Sequence, residues 1–461
     1  MVYDHTKQYR CTIVRGKAYK DLDELLNTYA SIVNDICPCA KNEFADKFNY
    51  ELSLHLGSQV TQKTLSNHRT EVVGKLFGMY FISNDKQVYC SPRVIKLLND
   101  SDQPAYFKEL LLKYQFPTGM SKVSTTSEQI SKKIQIRQFP FLMRLLNIAD
   151  ENKVFLKKSE IGYYVLNNLD VLTSSCTPEE VFEVIIDDRS KHIIREIKVA
   201  GKESSYLHQH INEQLNLMVL ANLIYYVNDT VAINKREKKF IDLMASLEYE
   251  DIIFKFSDYD LSDQDQRNKM EDDWSVYFAE QTDLSPNVFT TSASSLAKPH
   301  APVANPAEPT EPAQSTVDIG DEGEIYVFNY ERDRVNRINP RLVNRIKLLG
   351  KIRGLGYDIH SVYGEGSNAD FARYIEVKST KRVTAPESIF NDSITITKNE
   401  FSAAQQHKDH YYIYRVYFTN VGVKLFVIDN FFAKAQSELL KIDPTVYRIE
   451  FNQDAGVYLS E

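Results

Sequence analysis

No stretch of this chain approaches the roughly 20 consecutive apolar residues that a bilayer span needs. The nearest, residues 215–227, is shorter and is interrupted by Asn216 and Asn222. The opening residues MVYDHTKQYR contain no apolar core of a secretory signal, so the expectation is a cytoplasmic protein. Cysteine is scarce: Cys11, Cys37, Cys39, Cys90 and Cys176 are too few and too scattered for a disulfide framework. Cys37-Pro38-Cys39 is a CxC pair with no second pair after it, so the five read as ordinary reduced thiols. No phosphate-binding loop of G-x-x-x-x-G-K-[ST] form occurs, which excludes a built-in nucleotide motor of that type. An excess of positive charge is also missing, the net charge being −8.

What is present is unevenly distributed. Between Arg332 and Arg353 stand Arg332, Arg334, Arg337, Arg341, Arg345, Lys347, Lys351 and Arg353 against one acid, Asp333. Such a segment is either a solvated face or a phosphate-contacting one, and local charge matters more here than the mean. Residues 284–317 turn to Pro, Ala, Ser and Thr and hold six of the fifteen prolines. With few large apolar side chains to offset ordering entropy, they read as a flexible linker and a protease-sensitive joint. The expected domains are 1–283, the linker 284–317, and 318–461, with the long tether leaving the two parts without a fixed mutual geometry.

The N-terminal region reads as mainly α. Leu22, Leu25, Leu26, Tyr29 and Ile32 recur at helical spacing, and 42–56 and 61–76 continue the pattern, with Ser66, Asn67, His68 and Arg69 at exposed positions. Residues 78–82 and 86–90 flank the turn Ser83-Asn84-Asp85. Helix, helix and hairpin is the order of a winged helix, whose second helix enters the major groove of DNA. Looser versions follow at 135–166 and at 206–233, where Asn228-Asp229 forms a hairpin turn. The expectation is a tandem of three winged-helix-like units reading double-stranded DNA. The abundant Tyr and Phe could also line a pocket for a flipped base.

The C-terminal region carries the chemistry. In 374–379, Ile375 and Val377 alternate with Glu376 and Lys378 at strand period, so Glu376 and Lys378 share one face. Asp358 lies upstream, after the glycines Gly354 and Gly356, at a distance a hairpin can close. Two carboxylates suit a hard divalent cation, with the Val377 carbonyl as a third ligand. Such a cation polarises a phosphodiester and lowers the pKa of a bound water, while Lys378 orients that water. A half-exposed strand with a routine Glu and Lys face is the plainer alternative.

The D…E-x-K arrangement of Asp358, Glu376 and Lys378 resembles the PD-(D/E)XK nuclease superfamily. Within it, Gly323-Glu324-Ile325-Tyr326-Val327, Gly356-Tyr357-Asp358-Ile359, Tyr374 to Ser379, Thr397 to Phe401 and Tyr411 to Val416 resemble a restriction-endonuclease-like domain found in bacterial defence proteins. The resemblance spans about 320–430. It implies an α/β domain, a mixed sheet flanked by helices, that cuts DNA with Mg²⁺ or with Mn²⁺ in its place. It implies catalytic roles for Asp358, Glu376 and Lys378, and an acid from the opening helix, where Glu324 falls. Glu324 also suits a helix N-terminus on electrostatic grounds alone. Glu400 and Gln405 are candidates on the following helix, and His360, His407 and His410 read as ordinary residues. Tyr357 stands where the family's motif has proline. Upstream, residues 107–117 and 134–142 resemble the recognition region of type IIS restriction endonucleases.

Together these features predict a restriction or anti-phage endonuclease acting on duplex DNA. A homodimer, transient on DNA, and a partner methyltransferase or other defence component are implied. The alternatives are a non-cleaving DNA-binding platform and a repair nuclease for branched or single-stranded DNA.

Overall fold

The structure is a computed structural model. It describes residues 7–13, 18–56, 60–195, 203–284, 288–289, 291–298, 318–352, 354–387, 391–437, 439–443 and 448–459. Among them no helix is long and apolar enough to cross a membrane.

The N-terminal region is mainly helical around one continuous apolar core. The helix Tyr19–Ile36 forms where the apolar stripe predicts it, burying Leu22, Leu25, Leu26, Tyr29, Ile32 and Val33. A short strand Cys39–Ala40, the helix Lys41–Leu56, and a helical stretch of Gln62–Asn67 continued by His68–Leu76 in π geometry follow. The hairpin Tyr80–Ile82 and Gln87–Cys90 then pairs with the first strand in the order first, third, second. His68 is not at an exposed position. It is 2% exposed and its Nδ1 meets the Tyr29 hydroxyl, because three residues beyond the buried Leu65 it falls on the same helix face as Val72 and Leu76.

The same order recurs once. The helix Gln138–Glu151, strand Leu156–Lys157, short helices, the long helix Glu203–Leu220 and the hairpin Ile224–Val227 with Thr230–Ile233 give a second three-stranded sheet of the same strand order. The expectation of three units is therefore corrected to two. Leu156 and Lys157 pair with Val231 and Thr230, so 135–166 and 206–233 are halves of one unit. The pairing is long-range, and local periodicity carries no trace of it.

Between these units lies the helix Gln103–Lys113, buried along its whole length rather than amphipathic. Its Lys108 is fully buried, pairs with Glu237 at 2.7 Å and donates to the Phe289 carbonyl at 2.7 Å. Glu237 also accepts from Asn222 at 2.7 Å and from Thr291 at 2.8 Å. Phe289, Ser295 and Leu296 are buried. The described part of the expected linker, 288–289 and 291–298, is thus docked rather than free. Its few large side chains fill pockets and its polar groups satisfy buried partners, which composition does not reveal. Residues 299–317 lie outside the described residues.

The C-terminal region centres on a six-stranded sheet in the order Val457–Tyr458, Gly422–Asp429, Tyr411–Thr419, Ala372–Lys381, Ile359–Val362 and Lys347–Leu348. Tyr411–Thr419 runs parallel to the core strand Ala372–Lys381, with the helix Lys398–His407 in the crossover, and the remaining pairs are antiparallel. The opening helix Ile319–Ile338 packs on the other face. A small second sheet holds Asp392–Thr395, Arg448–Phe451 and Lys441–Asp443.

The two regions meet at the end of the core strand. The Lys381 N–H donates to the Ser101 carbonyl at 2.9 Å, and its buried ammonium donates to the Thr291 carbonyl and hydroxyl, both at 2.8 Å. Arg382 pairs with Glu24, and Asp23 accepts the Thr384 N–H and hydroxyl, both at 2.7 Å. The expected absence of a fixed mutual geometry is corrected: a buried polar seam joins the parts.

Removing one partner of a buried pair leaves an uncompensated charge, at a cost of about 3–5 kcal/mol. Lys108→Met should lower stability by about that amount in urea unfolding, and Lys108→Met with Glu237→Leu should recover part of the loss.

Candidate active site

The core strand and its neighbour bring the predicted residues together. Ile359 pairs with Ile375 antiparallel, which sets Asp358 opposite Glu376. Asp358 Oδ2 accepts the Val377 N–H at 2.8 Å, and each of the two carboxyl groups acts electrostatically on the other. Two residues on, Lys378 reaches Glu376 at 2.7 Å and Glu400 at 2.9 Å. Glu400 is fixed by a capping box in which Thr397 and Glu400 each accept the other's N–H. One cation therefore serves two acids beside a third.

Burial dominates the electrostatics. Glu376 is 4% exposed. Burial pushes it well above the usual carboxylate range, Lys378 pulls it down, and Asp358 and Glu400 add to the rise. Burial raises Asp358 as well, against the Val377 N–H and Lys378. Glu324 is pushed up to about 7 by burial and then by Asp358, with Lys351 opposing. Crowded, partly desolvated carboxyls of this kind favour a bound cation.

The donor set fits an oxygen-preferring divalent ion. Among the described residues no three acids, histidines or cysteines already surround a common point. Mg²⁺ is commonly held by one or two carboxylates and keeps several waters. Asp358 and Glu376, with the Val377 carbonyl beside them, match that habit.

Glu324 lies near Asp358, but its carboxylate is turned over the backbone of Gly350. A Cβ at Gly350 would stand 2.1 Å from Glu324 Oε2. Gly323 allows the helix to approach the core strand, because a Cβ there would stand 1.6 Å from Ser379 Oγ. Two helical turns beyond Glu324, Glu331 is buried and accepts from Ser361 at 2.6 Å, Tyr414 at 2.8 Å and Arg334. Burial alone would raise Glu331, but Arg373 and Arg334 hold it below the usual range. Glu331 thus fastens the helix that presents Glu324.

Gln405 is exposed and makes no hydrogen bond to these residues. It sits more than a helical turn beyond Glu400, on a different side of the helix. The histidines do not bond to the carboxylates. His360 Nδ1 lies 3.3 Å from the Arg345 carbonyl, His407 stacks on Tyr374 with centroids 3.7 Å apart, and His410 meets Tyr363. Sequence reasoning missed the contact of the Gly350-Lys351 turn with Glu324. Its only trace was a glycine inside a basic run.

Comparison with known proteins adds the lineage. The family described as "Restriction endonuclease BpuJI - N terminal" matches residues 3–275, more than half of the chain. The chain belongs to this family. A solved structure titled "Crystal structure of pyrene- and phenanthrene-modified DNA in complex with the BpuJ1 endonuclease binding domain" is 46% identical. It covers 60% of this chain and 99% of its own, with a TM-score of 0.57. The family described as "Protein NO VEIN, C-terminal" matches residues 323–428, the part of this BpuJI-family chain that holds Asp358, Glu376, Lys378 and Glu400. No curated protein matches.

In an exposed helix, Gly→Ala gains about 1 kcal/mol. Gly323→Ala should instead destabilise by about 1–3 kcal/mol, because the helix must lift from Ser379. Thermal melting of the two proteins reads the sign.

Proposed function

We propose that this protein is a Mg²⁺-dependent DNA endonuclease of a restriction or defence system. Its N-terminal region reads duplex DNA and its C-terminal region hydrolyses phosphodiesters. The observation that carries this reading is Asp358 facing Glu376 across two antiparallel strands with Lys378 next on the same face. The strand that bears Glu376 and Lys378 is anchored to a region of the BpuJI N-terminal family. That family's solved domain is described as a DNA complex, which supports DNA as the ligand here.

The two recurring units fit winged helices, and in the first of them the helix Gln62–Asn67 with its π continuation, whose start is exposed, would face the major groove. In the C-terminal region Asp358, Glu376 and the Val377 carbonyl would hold Mg²⁺, or Mn²⁺ in its place. Bound there, the metal supplies charge neutralisation at the phosphate and a water of lowered pKa. Lys378, held between Glu376 and Glu400, orients the attacking water and offsets negative charge growing on the phosphoryl oxygens. Water oxygen bonds to phosphorus and gives up a proton to solvent, the bond to the leaving oxygen breaks, and that oxygen takes up a proton from solvent. Glu400 keeps the Lys378 ammonium from collapsing onto Glu376 alone.

Asp358→Ala and Glu376→Ala should each abolish Mg²⁺-dependent cleavage of duplex DNA while binding in a gel-shift assay persists. Lys378→Ala should likewise abolish cutting. Wild-type cleavage by Asp358→Ala would remove this site from consideration.

One such site cuts one strand per event, so a double-strand break needs two copies on opposite strands. Double-strand cleavage should therefore rise faster than linearly with protein concentration. Strictly linear nicking without a double-strand product would identify a monomeric nickase.

A further inference from the structure

The C-terminal region is close to neutral, with 19 basic and 20 acidic residues between Asp318 and Glu461. Its positive charge is nevertheless gathered at one edge. Residues 341–352, RLVNRIKLLGKI, contain no acid, and Arg341, Arg345, Lys347 and Lys351 are exposed.

The register shows which way this edge faces. Lys347 pairs with His360, and His360 pairs with Tyr374. Cross-strand partners share a face, and so do residues two apart along a strand. Lys347, His360 and Tyr374 thus form a row on the face that carries Glu376 and Lys378. Leu348, Ile359 and Ile375 point to the opposite face. The helix Lys398–His407 covers the inner end of the row, where His407 stacks on Tyr374. The outer end at Lys347 is open, and His360 is only partly buried.

The turn after this edge strand closes onto the site. The Leu349 N–H donates to the Asp358 carbonyl, Gly350 lies under the Glu324 carboxylate, and Lys351 acts electrostatically on Glu324. Neither Lys347 nor Lys351 forms an ion pair with a described residue, whereas Arg345 lies 3.5 Å from Asp370. Two unpaired ammonium groups therefore flank the carboxylate cluster, one on the turn and one on the open edge of the same face.

We propose that the edge strand Lys347–Leu348 and its turn are a phosphate-binding rail. Lys351 and Lys347 hold the DNA backbone next to the phosphate presented to Asp358 and Glu376. This rests on the nuclease reading above and adds to it the place where the cleavage region grips its substrate. A polyanion is the occupant that the charge favours. A second copy of this chain placed here about a two-fold axis would bring its own acid-free edge against this one, cation to cation. The rail also supplies what a near-neutral domain otherwise lacks, a local field that draws the backbone across the acidic site.

The test uses the full chain with Lys347→Ala and Lys351→Ala combined, and the charge-preserving Lys347→Arg and Lys351→Arg pair as control. Both side chains are exposed, so the melting temperature should not move. Duplex binding is measured against salt concentration, a readout independent of cleavage. Each lost phosphate contact lowers the slope of log K against log salt by about 0.9, so the alanine pair should lower it by about 2. Single-turnover cleavage should fall at least tenfold, and the arginine pair should restore both. An unchanged salt slope overturns the proposal. So does a reduced slope with wild-type cleavage, since the contact would then lie away from the reacting phosphate. A change in sedimentation with an unchanged slope overturns it in favour of self-association. If the wild-type protein does not cut DNA, the nuclease reading fails, while the salt slope still decides the phosphate contact.

Discussion

A buried ammonium has to be hydrogen-bonded, and at Lys381 that requirement ties the molecule together. Its partners are the Thr291 carbonyl and hydroxyl, with the Asp102 carboxylate 3.7 Å away. All of them come from the N-terminal region and the segment after it. Lys381 ends the core strand that carries Glu376 and Lys378. The position of the acidic site relative to the N-terminal units is thus fixed from one end of one strand. Neighbouring groups extend the same constraint, since Thr291 also bonds Glu237 and Glu237 bonds Lys108 and Asn222. Unpairing any member would expose a desolvated charge, so the seam behaves as one unit.

The site obeys a related rule on a smaller scale. Three acids and one lysine share a poorly solvated space, and the positive charge there does not match the negative. Protein groups supply part of the compensation through the Val377 N–H and Lys378. The remainder is left uncompensated by protein groups among the described residues, and burial and mutual repulsion raise the Glu376 carboxyl. On the far face Glu331 is fully compensated by Arg334, Ser361 and Tyr414. The contrast between a satisfied buried acid and an unsatisfied cluster, one on each side of a single sheet, separates scaffold from site.

The N-terminal units follow from local patterning and then depart from it. Apolar periodicity in Tyr19–Ile36 and the Asn-Asp turn at 228–229 were both legible, and the helix and hairpin formed there. The count of units was not, because Leu156–Lys157 is two residues long and gains its identity only from pairing with Val231 and Thr230.

By itself the sequence determined that Glu376 and Lys378 share a face, because strand period is a local property. It also determined that Asp358 sits within a hairpin's reach of them. Tertiary structure decided the rest. Glu400 joins the site rather than Gln405 because the capping box fixes which turn of the helix meets Lys378. Asn222, which in sequence only interrupts an apolar run, becomes a buried donor to Glu237. Residues 288–289 and 291–298, polar and proline-flanked, become part of the seam because Lys108, Lys381 and Asn222 have buried hydrogen bonds to satisfy. Composition records how much apolar surface a segment can bury, whereas a buried charge elsewhere in the chain decides whether that segment is needed.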